Sequence, residues 1–275
     1  MTEPTLPSLR DTIARHGLDA RKALGQHFLL DEALCQRIAR FAGDMAGRQV
    51  LEIGPGPGGL TRALLRTEAA HVTAVELDRR AVAALAELEA AFPGRLRVVE
   101  ADALKFDATT LPAPRKIVAN LPYNIASVLL IGWLRQAAQL EGMTLMFQQE
   151  VAERICAAPD TDPYGRLAVL AQWRCQCALL MTLPPGAFSP PPKVHSAVVG
   201  FTPHPQDPGD ALFRTMERVT AAAFGQRRKM LRGALKGLGQ ADALLAQCGI
   251  AGERRAETLS VAEFDALARA LLARG

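Results

Sequence analysis

The sequence has no long apolar run. The longest, Ile125 to Leu134, stops at ten residues and carries Ser127 and Gly132. A membrane-crossing helix needs roughly 18 or more, so neither a membrane span nor a membrane partner is expected. Cysteine is sparse and scattered: Cys35, Cys156, Cys175, Cys177 and Cys248 form an odd set with no C-x-x-C. Cys175-x-Cys177 is too tight for the usual zinc spacing and lacks a second pair. These residues read as reduced, buried or half-buried thiols, with no metal site. Charge of one sign is also lacking. There are 32 basic and 28 acidic residues, a net +4, which permits a nucleic-acid partner without demanding one. Met1 to Arg10 is polar and contains proline, without the apolar centre of a secretory signal, and Glu3 and Asp11 are foreign to an Arg-rich transit peptide. The expectation is a cytoplasmic chain. With 49% hydrophobic residues it is too apolar for disorder. Its 275 residues suit one large domain or two unequal ones at roughly 100–200 residues each.

What is present is alternation. Short apolar runs at Gln49–Ile53, His71–Leu77, Arg95–Glu100, Lys116–Ala119 and Met143–Gln148 read as strands. Helical spacing fills Leu60–Thr67, Arg80–Ala91, Ser127–Gln139 and Glu150–Ala157, and Asp31 is placed to cap a helix through Phe41. This order predicts an α/β fold: a parallel sheet with helices on both faces. A Pro/Gly/Asp-rich stretch at 202–210 reads as a linker. Helical patterns follow at Ala211–Ala223, Gln226–Leu238, Ala241–Gln247 and Val261–Ala273. The predicted division is 1–205 and an all-helical 206–275.

Gly54-x-Gly56-x-x-Gly59 follows the first of these strands and opens a helix, where glycine permits the turn and a close ligand approach. Glu76 ends the next strand about 20 residues later, placed to accept two ribose hydroxyls. That pair fits NAD, FAD or S-adenosylmethionine alike. Three details favour the sulfonium cofactor. Pro55 and Pro57 remove N–H donors that a pyrophosphate needs. Glu52 would repel a phosphate and suit a cation. Asp102 ends the third strand, where it can accept from an adenine amino group.

Asn120-Leu121-Pro122-Tyr123 follows the fourth strand, so it should sit beside the glycine loop, because ligands bind at the carboxyl ends of parallel strands. Its chemistry suits methylation of an exocyclic amine. Asn120 Oδ1 and the carbonyl of Leu121 or Pro122 would accept the two N–H groups, and Tyr123 offers a ring for stacking. Phe188, in a proline-stiffened loop, would close the other face of a base or anchor the loop in the core. Between Arg218 and Asp242 lie five basic residues and no acids: Arg227, Arg228, Lys229, Arg232 and Lys236. On a continuous helix Arg228, Arg232 and Lys236 would share one stripe, as phosphate contacts require.

Taken together, Lys22–Leu29, Leu51–Gly58, Ala74–Asp78, Asn120–Asn124, Tyr164–Leu167, Ala187–Val194 and Phe224–Lys229 resemble the ribosomal RNA adenine dimethyltransferase family, in its bacterial small-subunit branch. The resemblance spans about residues 21–260. It implies a Rossmann-like S-adenosylmethionine-dependent methyltransferase sheet with a small C-terminal helical domain that helps dock RNA. The implied cofactor contacts are Gln26, His27, Leu29, Gly54, Gly56, Glu76, Asp102 and Asn120. Asn120, Leu121, Pro122, Tyr123 and Phe188 would bind the target and support transfer. The implied partner is small-subunit ribosomal RNA within a pre-ribosomal particle, met by a monomer. The family often has Asn where this chain has His27. A large-subunit RNA target and a docking role without turnover are the competing readings.

Overall fold

A computed structural model describes residues 4–18, 27–226 and 228–274. The elements run α1 (Leu9–His16), β1 (Phe28–Leu29), α2 (Glu32–Phe41), β2 (Gln49–Ile53), α3 (Gly59–Leu65), β3 (His71–Glu76), α4 (Arg79–Ala91), β4 (Leu96–Glu100), β5 (Arg115–Asn120), α5 (Ala126–Arg135), β6 (Gly142–Gln148) and α6 (Gln149–Cys156). They continue as α7 (Arg166–Arg174), β7 (Cys175–Leu183), β8 (Phe188–Ser189), β9 (Ser196–Pro203), α8 (Asp210–Gly225), α9 (Leu231–Ala234), α10 (Ala241–Gln247) and α11 (Val261–Leu272). No helix among the described residues is long and apolar enough to cross a membrane.

Two compact units are formed. The first comprises residues 1–152 and 178–202. Its sheet has the order β4-β3-β2-β5-β6-β9-β7. β2, β3, β4, β5 and β6 are joined by parallel pairings, and β9 lies antiparallel to β6. The chain steps outward from β2 to β4, returns to β5 on the other side of β2, and then steps outward again. The strand order therefore reverses between β2 and β5, and a crevice opens at their carboxyl ends. The inner strands are apolar almost throughout because helices cover both faces. Val50, Val72, Ala74, Val118 and Met146 share one face by the two-residue period of a strand. They join Ile38, Leu64 and Leu85 of α2, α3 and α4 in a single cluster. Asp31 caps α2 by accepting from the Leu34 N–H. A separate two-stranded ribbon pairs β1 with β8, Leu29 opposite Phe188.

The second unit comprises residues 153–177 and 203–275. The expected division at 205 left out Glu153–Cys177. These residues join the helical unit because α7 carries buried Val169 and Leu170, and the Tyr164 hydroxyl donates to the Leu259 carbonyl (2.9 Å). Phe224 stacks on Phe264 with ring centroids 5.5 Å apart. α11 starts in a capping box of Ser260 and Glu263.

One predicted helix does not form. The described residues between 226 and 238 are turn and bend positions, the short α9 and a 3-10 segment, Leu235–Leu238. The Leu231 N–H donates to the Arg254 carbonyl (2.8 Å) and the Arg232 N–H to Gly252 (3.1 Å), not to the preceding turn. Gly233 and Gly237 weaken the helical alternative further.

Candidate active site

Side chains from the carboxyl ends of β2, β3, β4 and β5 line one cavity of about 290 Å³. That is close to the lower limit of roughly 300 Å³ for small-molecule sites. The glycine loop after β2, Glu76, Asp102 and Asn120–Tyr123 all border it, together with His27 and Leu29.

Two glycines of the loop serve a different neighbour than expected. A Cβ at Gly56 would lie 2.7 Å from the Phe28 ring, and one at Gly59 would lie 2.3 Å from the Leu29 carbonyl oxygen. They clear space for β1 to press against the loop. His27 and Leu29 are thereby brought to the cavity wall.

Glu76 is almost fully buried, and backbone N–H groups hold its carboxylate. Oε1 accepts from Leu77 (2.8 Å) and Asp78 (2.9 Å), and Oε2 from Gly56 (3.1 Å). A carboxylate has about four lone-pair positions, so one remains, on Oε2. The carboxylate as placed accepts one further donor rather than two. Burial raises its pKa, and the same N–H groups hold that rise down. Asp102 lines the cavity, and its Oδ1 accepts from the Leu104 N–H (2.9 Å), which leaves Oδ2 available.

Glu52 is 1% exposed. Its Oε2 has no hydrogen-bond partner among the described residues. Burial, with Glu76 adding repulsion and Thr61 opposing, pushes its carboxyl up to about 8. A buried acid without a positive partner is costly, and here it faces a ligand cavity.

At the other end, Asn120 Nδ2 donates to the His27 carbonyl (2.9 Å). This fixes the amide so that Oδ1 is the free acceptor. The Pro122 carbonyl already accepts from the Ile125 N–H (3.1 Å), whereas the Leu121 carbonyl has no partner among the described residues. Tyr123 shares a 2.5 Å hydroxyl bond with Ser196. His27 stacks on one face of the Tyr123 ring, with centroids 5.5 Å apart.

Phe188 is not brought to this cavity. It is 5% exposed, paired with Leu29 across the ribbon, and belongs to the apolar cluster of Ile38 and Leu64. Burying the ring there leaves no face for a base, so it anchors β8. Gln26 and Arg227 lie outside the described residues. Arg228, Lys229 and Lys236 are exposed in the second unit, but Arg232 pairs with Glu253. They do not form the single expected stripe, because the chain between them is not one helix. Sequence reasoning missed Leu77 and Leu104. Both line the cavity with about half their surface exposed, 56% and 48%. Their signal was position: Leu77 follows Glu76, which ends β3, and Leu104 lies two residues after Asp102, just beyond β4.

Among the described residues, the lining contains Glu52, Glu76 and Asp102 but no Lys or Arg. Pro55 and Pro57 contribute no N–H. Acidic groups and a loop short of N–H donors suit a pyrophosphate poorly. The residues fit a nucleoside with a cationic tail: carboxylates for hydroxyl, amino and ammonium groups, and Leu77 and Leu104 for a flat ring. The protein is a Rossmann-like, S-adenosylmethionine-dependent methyltransferase.

Comparison with known proteins narrows that class. The profile of a family described as ribosomal RNA adenine dimethylase matches residues 17–271, and the chain belongs to that family. It is 64% identical over 273 residues to the ribosomal RNA small subunit methyltransferase A of Gluconobacter oxydans (strain 621H), covering 99% of this chain and 90% of the relative. A dimethyladenosine transferase from Plasmodium falciparum has a similar structure: 25% identity, TM-score 0.76, 88% of this chain and 96% of that one. The 23S rRNA methyltransferase ErmE follows at 27% identity and TM-score 0.67, covering 89% and 99%.

Proposed function

We propose that the chain methylates the exocyclic amino groups of two adjacent adenosines near the 3′ end of small-subunit ribosomal RNA. It acts as a cytoplasmic monomer on a pre-ribosomal particle. The observation that carries this reading is the fixed amide of Asn120. With Nδ2 committed to His27, Oδ1 accepts one N–H of the adenine amine, and the Leu121 carbonyl accepts the other. Two acceptors draw the nitrogen lone pair out of the ring and aim it, and aiming is the main catalytic need of an in-line transfer. Pro122 stiffens the turn that places both acceptors. Tyr123 offers its ring to the base, with stacking worth roughly 1–3 kcal/mol.

S-adenosylmethionine supplies the methyl group as an electrophile. Glu76 Oε2 takes a ribose hydroxyl, Asp102 Oδ2 the adenine amino group, and Glu52 gives counter-charge. The contacts of Gln26, His27, Leu29, Gly54 and Gly56 with the cofactor follow the family pattern. The helical unit docks RNA through Arg227, Arg228, Lys229 and Lys236, with Arg232 shared with Glu253. A small-subunit target is favoured because the relative named for that subunit is 64% identical and the 23S enzyme 27%.

The test incubates the protein and labelled cofactor with small-subunit particles from cells lacking the modification. Expected is dimethyladenosine at two adjacent positions. Label confined to large-subunit RNA, or none while a control enzyme works, would overturn the reading. Asn120→Ala should lower transfer roughly 10²-fold or more while calorimetry shows nearly unchanged cofactor affinity.

A further inference from the structure

The loop from Pro190 to Ser196 is tied at both ends to residues that line the cavity. The His27 ring donates from Nδ1 to the Pro190 carbonyl (2.9 Å), and Tyr123 bonds the Ser196 hydroxyl (2.5 Å). His27 and Tyr123 are themselves stacked. The Gln149 N–H, at the start of α6, braces the loop through the His195 carbonyl (2.9 Å). Three consecutive prolines, Pro190 to Pro192, limit its backbone freedom. The loop is therefore braced beside the cavity, against His27 and Tyr123 at the Asn120 end.

Between its ties the loop turns Lys193 and His195 outward. Both are exposed, and neither pairs with a carboxylate among the described residues. An unpaired cation on a braced loop pays little ordering cost when it meets an anion. The cavity decides which anion. Its lining holds three carboxylates, so a nucleotide that enters base-first keeps its phosphates outside, at the rim. A base taken out of its stack for chemistry leaves its backbone in that position.

We propose that Lys193 and His195 hold the phosphodiester backbone of the target strand and so position the nucleotide whose base enters beside Asn120. They are positioning residues. The inference rests on the RNA-methyltransferase reading above.

The test measures transfer to unmethylated small-subunit particles by the full chain and by Lys193→Ala, Lys193→Arg and the double variant Lys193→Ala with His195→Ala, across a range of salt. Melting curves and cofactor titrations run alongside. Lys193→Ala should raise KM for RNA several-fold, the double variant more, and Lys193→Arg should restore it. The kcat at saturating RNA and the cofactor affinity should stay at the wild-type values. The plot of log kcat/KM against log salt should become shallower by roughly 0.7–0.9 for each lost phosphate contact. Unchanged KM and salt slope in an active background overturn this inference alone, as does an equal fall in cofactor affinity. A wild-type chain that leaves the particles unmethylated overturns the functional reading and this one with it.

Discussion

The strand-end loops of the first unit and the basic segment after α8 hold their charges in opposite ways. Glu52 and Glu76 are buried, and Glu76 is gripped by three backbone N–H groups. Arg228 and Lys229 stand in solvent on turn backbone and Lys236 on a short 3-10 segment. A buried charge has one permitted geometry, because every missing partner costs desolvation energy. An exposed charge has many geometries and small individual weight. The first arrangement suits recognition of one small molecule. The second suits a large polyanion, whose phosphates sum many weak contacts.

The sharpest way to break this contrast is Gly59→Ala. The new Cβ would meet a backbone oxygen at 2.3 Å, which no side-chain rotation relieves. Destabilisation of about 3 kcal/mol is expected, a fall in Tm of roughly 6–12 °C for a chain of this size. Cofactor binding should weaken as well, because β1 must leave the loop. A wild-type melting curve would show that the loop and β1 are not in contact.

Next comes Glu52→Gln. With its carboxyl raised to about 8, Glu52 stays protonated in the ligand-free folded chain after it has ionised in the unfolded one. Native stability therefore falls as pH rises from the ordinary carboxylate range toward 8. This group alone contributes a slope of at most about 1.4 kcal/mol per pH unit. The Gln variant should gain stability relative to wild type across that window and bind the cationic cofactor more weakly at its upper end. Equal pH slopes in melts of the ligand-free proteins would remove Glu52 from the account.

The smallest effect concerns the basic segment. Arg232 is neutralised by Glu253, so Arg232→Ala should change RNA affinity less than Lys229→Ala. Its stability cost should stay within about 1 kcal/mol, as for exposed pairs. A larger loss of RNA binding for Arg232 than for Lys229, in a salt-dependent binding assay, would show that Glu253 releases it on contact.

Much of the catalytic unit was legible because strand-end positions follow from topology. Once apolar runs alternate with helices, Gly54, Glu76, Asp102 and Asn120 must converge, whatever the details of packing. The five parallel strands β2 to β6 and most helices were found within a few residues for the same reason: their two- and 3.6-residue periods are local, whereas β7, β1 and β8 were not read as strands. Residues 153–177 were assigned to the wrong side of the division because apolar α7 reads the same whichever core receives it. The helix over 226–238 was misread because carbonyls of 252 and 254, distant in sequence, take its N–H groups.

The sequence by itself determined the class of chemistry: carboxylates at strand ends, a glycine loop poor in N–H donors, and an amide after the fourth strand. These are properties of residue type and order, and the parallel sheet turns order into position. Only the tertiary structure decided what each group has left to give. It committed Asn120 Nδ2 to His27 and so freed Oδ1. It spent three lone pairs of Glu76 on backbone, buried Phe188 away from the cavity, and gave Arg232 an acidic partner. Most of these assignments depend on contacts distant in sequence, such as Gly56 with Glu76 and His27 with Asn120, 20 and 93 positions apart, and local pattern carries no information about which of two possible partners arrives.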